Sequence, residues 1–107
     1  MARIRLLCTL IFLLGFPSVL CAAPPMAITY HAPEAKSVAV RGSFDPYWQK
    51  LHPLKKDATG RWSVVFDLAP GRYEFQFLVD GVWRHDPRLP SVEDSFGGRN
   101  NVLLVFP

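Results

Sequence analysis

Aromatic, amide and carboxylate side chains fall close to the turns of this sequence, and their types admit two kinds of chemistry. The first is stacking. In "VDGVWRHDP" Trp83 stands two residues beyond Asp80-Gly81, and Tyr47 adjoins Trp48 in "DPYWQK". An aromatic ring held outward gives the apolar face of a pyranose a surface to lie on, while amides such as Gln76 and the Asn100-Asn101 pair can exchange hydrogen bonds with ring-edge hydroxyls. The second is acid–base or metal chemistry at His85-Asp86 or Glu93-Asp94. "HDP" fits a turn better, with Asp86 capping its own backbone and Pro87 forcing an extended exit. Adjacent carboxylates in an extended loop point apart and do not flank one bond at about 5–9 Å. His31, His52 and His85 lack ligand-like spacing, and no nucleophile triad, phosphate loop or dinucleotide fingerprint occurs. The expectation is a protein without catalytic residues, metal or cofactor.

Side chains of this kind have to be held by strands. Beyond Pro25 the apolar residues alternate: Val38 and Val40 share a face in "SVAVRGSF", and Trp62, Val64, Phe66 and Leu68 share one in "RWSVVFDL". The clearest run is "RYEFQFLV", with Tyr73, Phe75, Phe77 and Val79 inward and Glu74, Gln76 and Leu78 outward. Ala27–His31 and Asn100–Phe106 complete the set, and "ATG", "APG", "DG" and "FGG" punctuate it. Six or seven short strands joined by brief turns predict an all-β, immunoglobulin-like antiparallel β-sandwich. In a hairpin closed by Asp80-Gly81, Val79 faces Val82 and Leu78 faces Trp83. Paired residues share a face, so Trp83 is pushed outward, with Gln76 a diagonal neighbour. Trp62, leading an inward series, is expected in the core.

Residues 1–23 read as a secretory signal peptide: Arg3 and Arg5 precede an apolar run from Leu6 to Phe16, and Pro17 breaks it ahead of small residues. An uncleaved anchor or a lipid on Cys21 are the membrane-bound alternatives. Export places the domain, residues 24–107, in the periplasm, on the cell surface or in the medium. Twelve Lys and Arg less Arg3 and Arg5 leaves ten against nine Asp and Glu, so the mature net charge is +1 and nucleic acid is not an expected partner. The only cysteines are Cys8 and Cys21, so the domain has no disulfide.

Taken in order, "VAVRGSFDPYW", "GRWSVVFDLAPGRYEFQFLVDGVWRHDP" and "FGGRNNVLLV" resemble carbohydrate-binding module family 48, which includes the glycogen-binding domain of the AMP-activated kinase β subunit and is related to the N-terminal domains of isoamylases and branching enzymes. The resemblance runs from about Ile28 to Val105. It implies an early-set immunoglobulin-like sandwich that binds α-1,4-glucans without catalysis. The family's second tryptophan falls on Trp83. Its first falls on Trp48 if the loop carries an insertion, or on Tyr47 by strict count. The family lysine falls on Gln76, and the leucine, threonine and asparagine of the last loop fall on Phe96, Gly98 and Asn100.

Two functions follow. One is an exported α-glucan-binding module, working alone or beside a glucan-active enzyme. The other is an immunoglobulin-like interaction module of the cell envelope that has lost sugar binding, its aromatics anchoring a protein partner.

Overall fold

Apolar alternation is strongest around Phe75 and Phe77, and that stretch becomes the centre of the molecule. In a computed structural model, which describes residues 25–107, Gly71–Val79 is the longest strand, with Phe75 and Phe77 buried and Glu74, Gln76 and Leu78 on its other face. The expected signal peptide lies outside the described residues.

Among the described residues nine strands form in chain order: β1 (Met26–His31), β2 (Val38–Gly42), β3 (His52–Pro53), β4 (Lys55–Lys56), β5 (Arg61–Phe66), β6 (Gly71–Val79), β7 (Val82–Arg84), β8 (Ser91–Glu93) and β9 (Arg99–Val105). They make two antiparallel sheets, β1-β5-β4 and β3-β2-β6-β9-β8, with β7 pairing β6 beyond the end of β9. The architecture is the immunoglobulin-like β-sandwich. Nine strands stand where six or seven were expected, because β3, β4 and β8 have only two or three residues, too few for alternation to show in sequence. The strand expected to run on to Leu68 stops at Phe66, and Leu68 is half-buried in the turn before β6.

Between the sheets lie Ile28, Val38, Val40, Leu54, Trp62, Phe75 and Phe77. The Trp62 indole donates to the Ala32 carbonyl at 2.8 Å, so the polar edge of this core tryptophan is satisfied. Tyr30 packs on Phe77 with ring centroids 4.7 Å apart, and Phe75 meets Phe77 edge-to-face at 5.5 Å. Each such side chain stabilises the sandwich by about 1.5–3 kcal/mol through burial.

The hairpin that carries Trp83 follows the sequence argument. Val79 pairs with Val82 and Leu78 with Trp83, while Asp80 and Gly81 take φ values of 48° and 82°, as a type I′ turn requires. The Asp80 carboxylate accepts the backbone N–H groups of Ser37 and Lys36, both at 2.9 Å, which ties the turn to the segment leading into β2. Those donors, Ser37 first, hold the Asp80 carboxyl below its ordinary range.

Candidate functional site

The outward face of the larger sheet is set by register. Arg41 on β2 pairs with Gln76 on β6, and Leu78 two residues on pairs with Trp83 on β7, so all four share the face away from the core. Asn101 on β9 pairs with the core residue Phe75, which turns its neighbour Asn100 outward beside Gln76. Loops close the face at two sides. Residues 43–51 bring Trp48, and the β8–β9 connection brings Phe96.

Two adjoining hollows result. The larger, about 400 Å³, lies among Trp48, Gln76, Asn100 and Phe96, with Glu74, Glu93 and Asp94 on its walls. The smaller, about 180 Å³, lies between Trp48 and Trp83 above Leu51. Arg41 and Trp48 border both.

Trp83 is 41% exposed. Its ring is covered in part by the Arg41 guanidinium, whose carbon lies 3.7 Å from the ring centroid. The indole is therefore stacked on a cation rather than free on both faces.

Trp48 reaches the site through an unusual stretch of backbone. Asp45 and Pro46 begin a single 3-10-type turn in which Tyr47 and Trp48 take φ values of 56° and 55°. Non-glycine residues pay about 1–2 kcal/mol each for that left-handed region. The Trp48 N–H bonds to the Asp45 carbonyl at 3.2 Å, and the Asp45 carboxylate contacts the His52 ring. Phe44 anchors the start of the loop against Phe66, His52 and Tyr73. Gly42 is required there, because a Cβ would come within 2.6 Å of both the Glu74 carbonyl and the Phe44 ring. Trp48 is half-buried and lines both hollows, whereas Tyr47 is 94% exposed and lines neither.

The polar groups form a short network. Arg41 Nη2 donates to Gln76 Oε1 at 3.3 Å, and Gln76 Nε2 donates to the Arg99 carbonyl at 3.4 Å. Asn100 Nδ2 donates to Glu74 Oε1 at 3.1 Å, and Arg72 Nη1 donates to Glu74 Oε2 at 2.7 Å. Arg72 first, then Asn100, hold the Glu74 carboxyl below its ordinary range. The Asn100-Asn101 pair is split. Asn101 is fully buried, donating to the carbonyls of Asp86 at 2.9 Å and Pro90 at 3.2 Å and accepting from the Asp86 N–H at 2.7 Å. It clamps the segment after β7, while Asn100, itself only 8% exposed, lines the larger hollow.

In the β8–β9 connection, Asp94 Oδ1 accepts the N–H groups of Phe96 at 2.7 Å and Gly98 at 2.8 Å. That turn projects Phe96, 95% exposed, at the rim. A Cβ at Gly98 would lie 2.8 Å from Asp94 Oδ2, so the space where the resemblance puts a threonine is taken by a carboxylate.

Of the acid–base candidates, Asp86 is buried and accepts the Arg88 N–H at 3.0 Å, the turn role expected of it. Glu93 and Asp94 both border the larger hollow, so the expectation that they point apart does not keep either away from it; Asp94, however, is committed to its turn. Among the described residues no three of His, Cys, Asp and Glu gather as metal ligands would.

The site thus brings together Trp83, Trp48, Gln76, Phe96 and Asn100 and leaves Tyr47 outside the hollows. Sequence reasoning missed Arg41 and Glu74 as members. Both were findable, since Glu74 is outward by parity and Arg41 alternates with the inward Val38 and Val40.

The profile of the family described as "Glycogen recognition site of AMP-activated protein kinase" matches residues 24–107. Protein FLOURY ENDOSPERM 6, chloroplastic, of Oryza sativa subsp. japonica is 44% identical over 71 residues, 66% of this chain and 13% of that protein. The 5′-AMP-activated protein kinase subunit beta-1 of Sus scrofa is 40% identical over 70 residues, 65% of this chain and 55% of that one. The matched stretch therefore spans about an eighth of the rice protein and about half of the kinase subunit. Among solved structures, pullulanase type I from Bacillus subtilis str. 168, in complex with maltose, superposes with a TM-score of 0.57 over 83% of this chain and 12% of that chain, at 20% identity, a likeness of fold.

Proposed function

Because this chain belongs to the family of the glycogen recognition site of AMP-activated protein kinase, we propose that it is an exported α-glucan-binding module whose sugar rings stack on Trp83 and Trp48. The family is a carbohydrate-binding, non-catalytic domain of glycogen and starch recognition. The finer reading adds the stacking, the export and the protein's work alone or beside a glucan-active enzyme.

One observation carries it. Two tryptophans, a rim phenylalanine and the amides of Gln76 and Asn100 meet on one open sheet face around two joined hollows. Broad shallow hollows with aromatic walls suit a curved neutral polymer, which buries the apolar faces of successive rings while its hydroxyls stay at the polar edge. Phe96 would close over a ring at the far end. Asn100, its Nδ2 held by Glu74, keeps its Oδ1 oxygen as an acceptor for a sugar hydroxyl.

The test is tryptophan fluorescence of the protein titrated with maltoheptaose, with cellohexaose as control. Saturation with the α-glucan alone, abolished by Trp83→Ala, supports the reading. A folded protein that responds to neither sugar overturns it and leaves the same exposed aromatics as anchors for a protein partner of the envelope.

A further inference from the structure

Arg41 stands outside every role assigned so far, yet it sits at the saddle between the two hollows. A long cation on a sheet face ordinarily extends its head group into water. This one holds its guanidinium carbon over the Trp83 ring, 3.7 Å from the centroid. Its hydrogen bonding is sparse: Nη2 reaches Gln76 Oε1 at 3.3 Å, and the buried Nε finds no acceptor among the described residues. The nearby carboxylate of Glu74 is already paired with Arg72. A guanidinium has five N–H donors fixed in one plane, so most of its donor capacity is unspent.

The other polar groups of the saddle are more fully committed. Both polar ends of Gln76 are engaged, one by Arg41 and one by the Arg99 carbonyl, and the Asn100 amide nitrogen is held by Glu74. Gln49 and Lys50 line only the smaller hollow and Ser95 only the larger, so the uncommitted charged donor that borders both, where a ligand would cross between them, is the guanidinium.

We propose that Arg41 is a sugar-contacting residue that donates hydrogen bonds to the hydroxyls of the glucose unit bridging the two hollows. This rests on the glucan reading. In an α-1,4-linked chain an interior unit keeps O2 and O3 as adjacent free hydroxyls, and two oxygens side by side match the parallel N–H groups of a planar fork. Arg41 then does two things at once: it covers one face of the Trp83 ring, leaving the other for a sugar, and selects a diol edge. Gln76, bonded to it, orients the fork rather than serving as the principal donor.

The experiment follows the Arg41 Nε–H and the Trp83 indole N–H by heteronuclear NMR as maltoheptaose is added, alongside calorimetric titration of Arg41→Met and Arg41→Lys. The proposal expects both resonances to move along one isotherm. It expects affinity to fall about tenfold in Arg41→Met, as for loss of a charged hydrogen bond, and by less in Arg41→Lys, which keeps the charge but not the fork. Movement of the Trp83 signal with Arg41 still, or unchanged affinity in a folded Arg41→Met, overturns the proposal and leaves the glucan reading intact. If neither signal moves, both fall. Should Arg41→Met fail to fold, the resonances of the unaltered protein decide alone.

Discussion

Trp83 and Trp48 border the same hollow and are held by opposite means. Trp83 stands on a ladder: its partner is Leu78, its turn is Asp80-Gly81, and the segment leading into β2 donates two N–H groups to that turn. Trp48 stands on no ladder. Its direction depends on two consecutive left-handed residues, a contact between Asp45 and His52, and Phe44 wedged beside Gly42. A platform built by register is positioned by the strands that form the core, whereas one built by a strained loop is positioned by contacts that could be lost without unfolding the sandwich. One face of a binding site can therefore be rigid and the other adjustable.

The largest expected effect tests the base that both platforms share. Phe77→Ala removes a fully buried ring from β6 and should cost about 3–5 kcal/mol in urea unfolding. Both tryptophans would then lose their setting together.

Trp83→Ala separates the two. Maltoheptaose affinity should fall at least about tenfold, while the urea midpoint moves little because the side chain is exposed. Phe in place of Trp83 should recover part of the loss. A marked drop in stability for Trp83→Ala would mean that the indole holds the sheet rather than the ligand.

Tyr47→Gly addresses the strained loop. Relief of a left-handed φ should raise stability by about 1 kcal/mol at an exposed position, or leave it unchanged if glycine's larger unfolded-state entropy offsets the gain. Sugar affinity should weaken slightly as the loop samples more directions. Trp48→Ala should weaken it further, by less than Trp83→Ala. Equal losses at both tryptophans would erase the distinction between ladder and loop.

The smallest effect is acid dependence. Glu74, Asp80 and Asp57 all have carboxyls held below their ordinary values, Asp57 chiefly by the Thr59 hydroxyl. Their folded-state pKa values lie below the unfolded ones, so their stabilisation is complete above the unfolded values and is lost as pH falls through the folded ones. Melting temperature should be flat above about pH 5 and decline below about pH 4. Asp80→Asn should remove part of that decline and loosen the Trp83 hairpin. Glu74→Ala should act on the sugar site, by removing the acceptor that holds Asn100.

The same contrast accounts for what could be read from sequence. Alternation from Tyr73 to Val79 reflects one strand packed on one core, so its period survives in the sequence, and the Asp-Gly turn then dictates the side of Trp83. The choice between Tyr47 and Trp48 could not be made that way. It depends on left-handed backbone stabilised by residues such as Phe44 and His52, whose effect on φ leaves no periodic trace. Asn100 and Asn101 look equivalent in sequence and both are buried, but one residue of register sets the first in the wall of the larger hollow and the second in the interior. Arg41 reads as an ordinary exposed cation until Trp83 is set beneath it.

One feature of the larger sheet sets the order in which backbone protons leave the protein. β6 has β2 along one edge and both β9 and β7 along the other, so Phe75 and Phe77–Val79 have strand neighbours on both sides. Their amide hydrogens should be among the last to exchange with deuterium, and only through global opening. The segment around Trp48 should exchange early. Slower labelling there on addition of glucan would appear against a central strand that does not change.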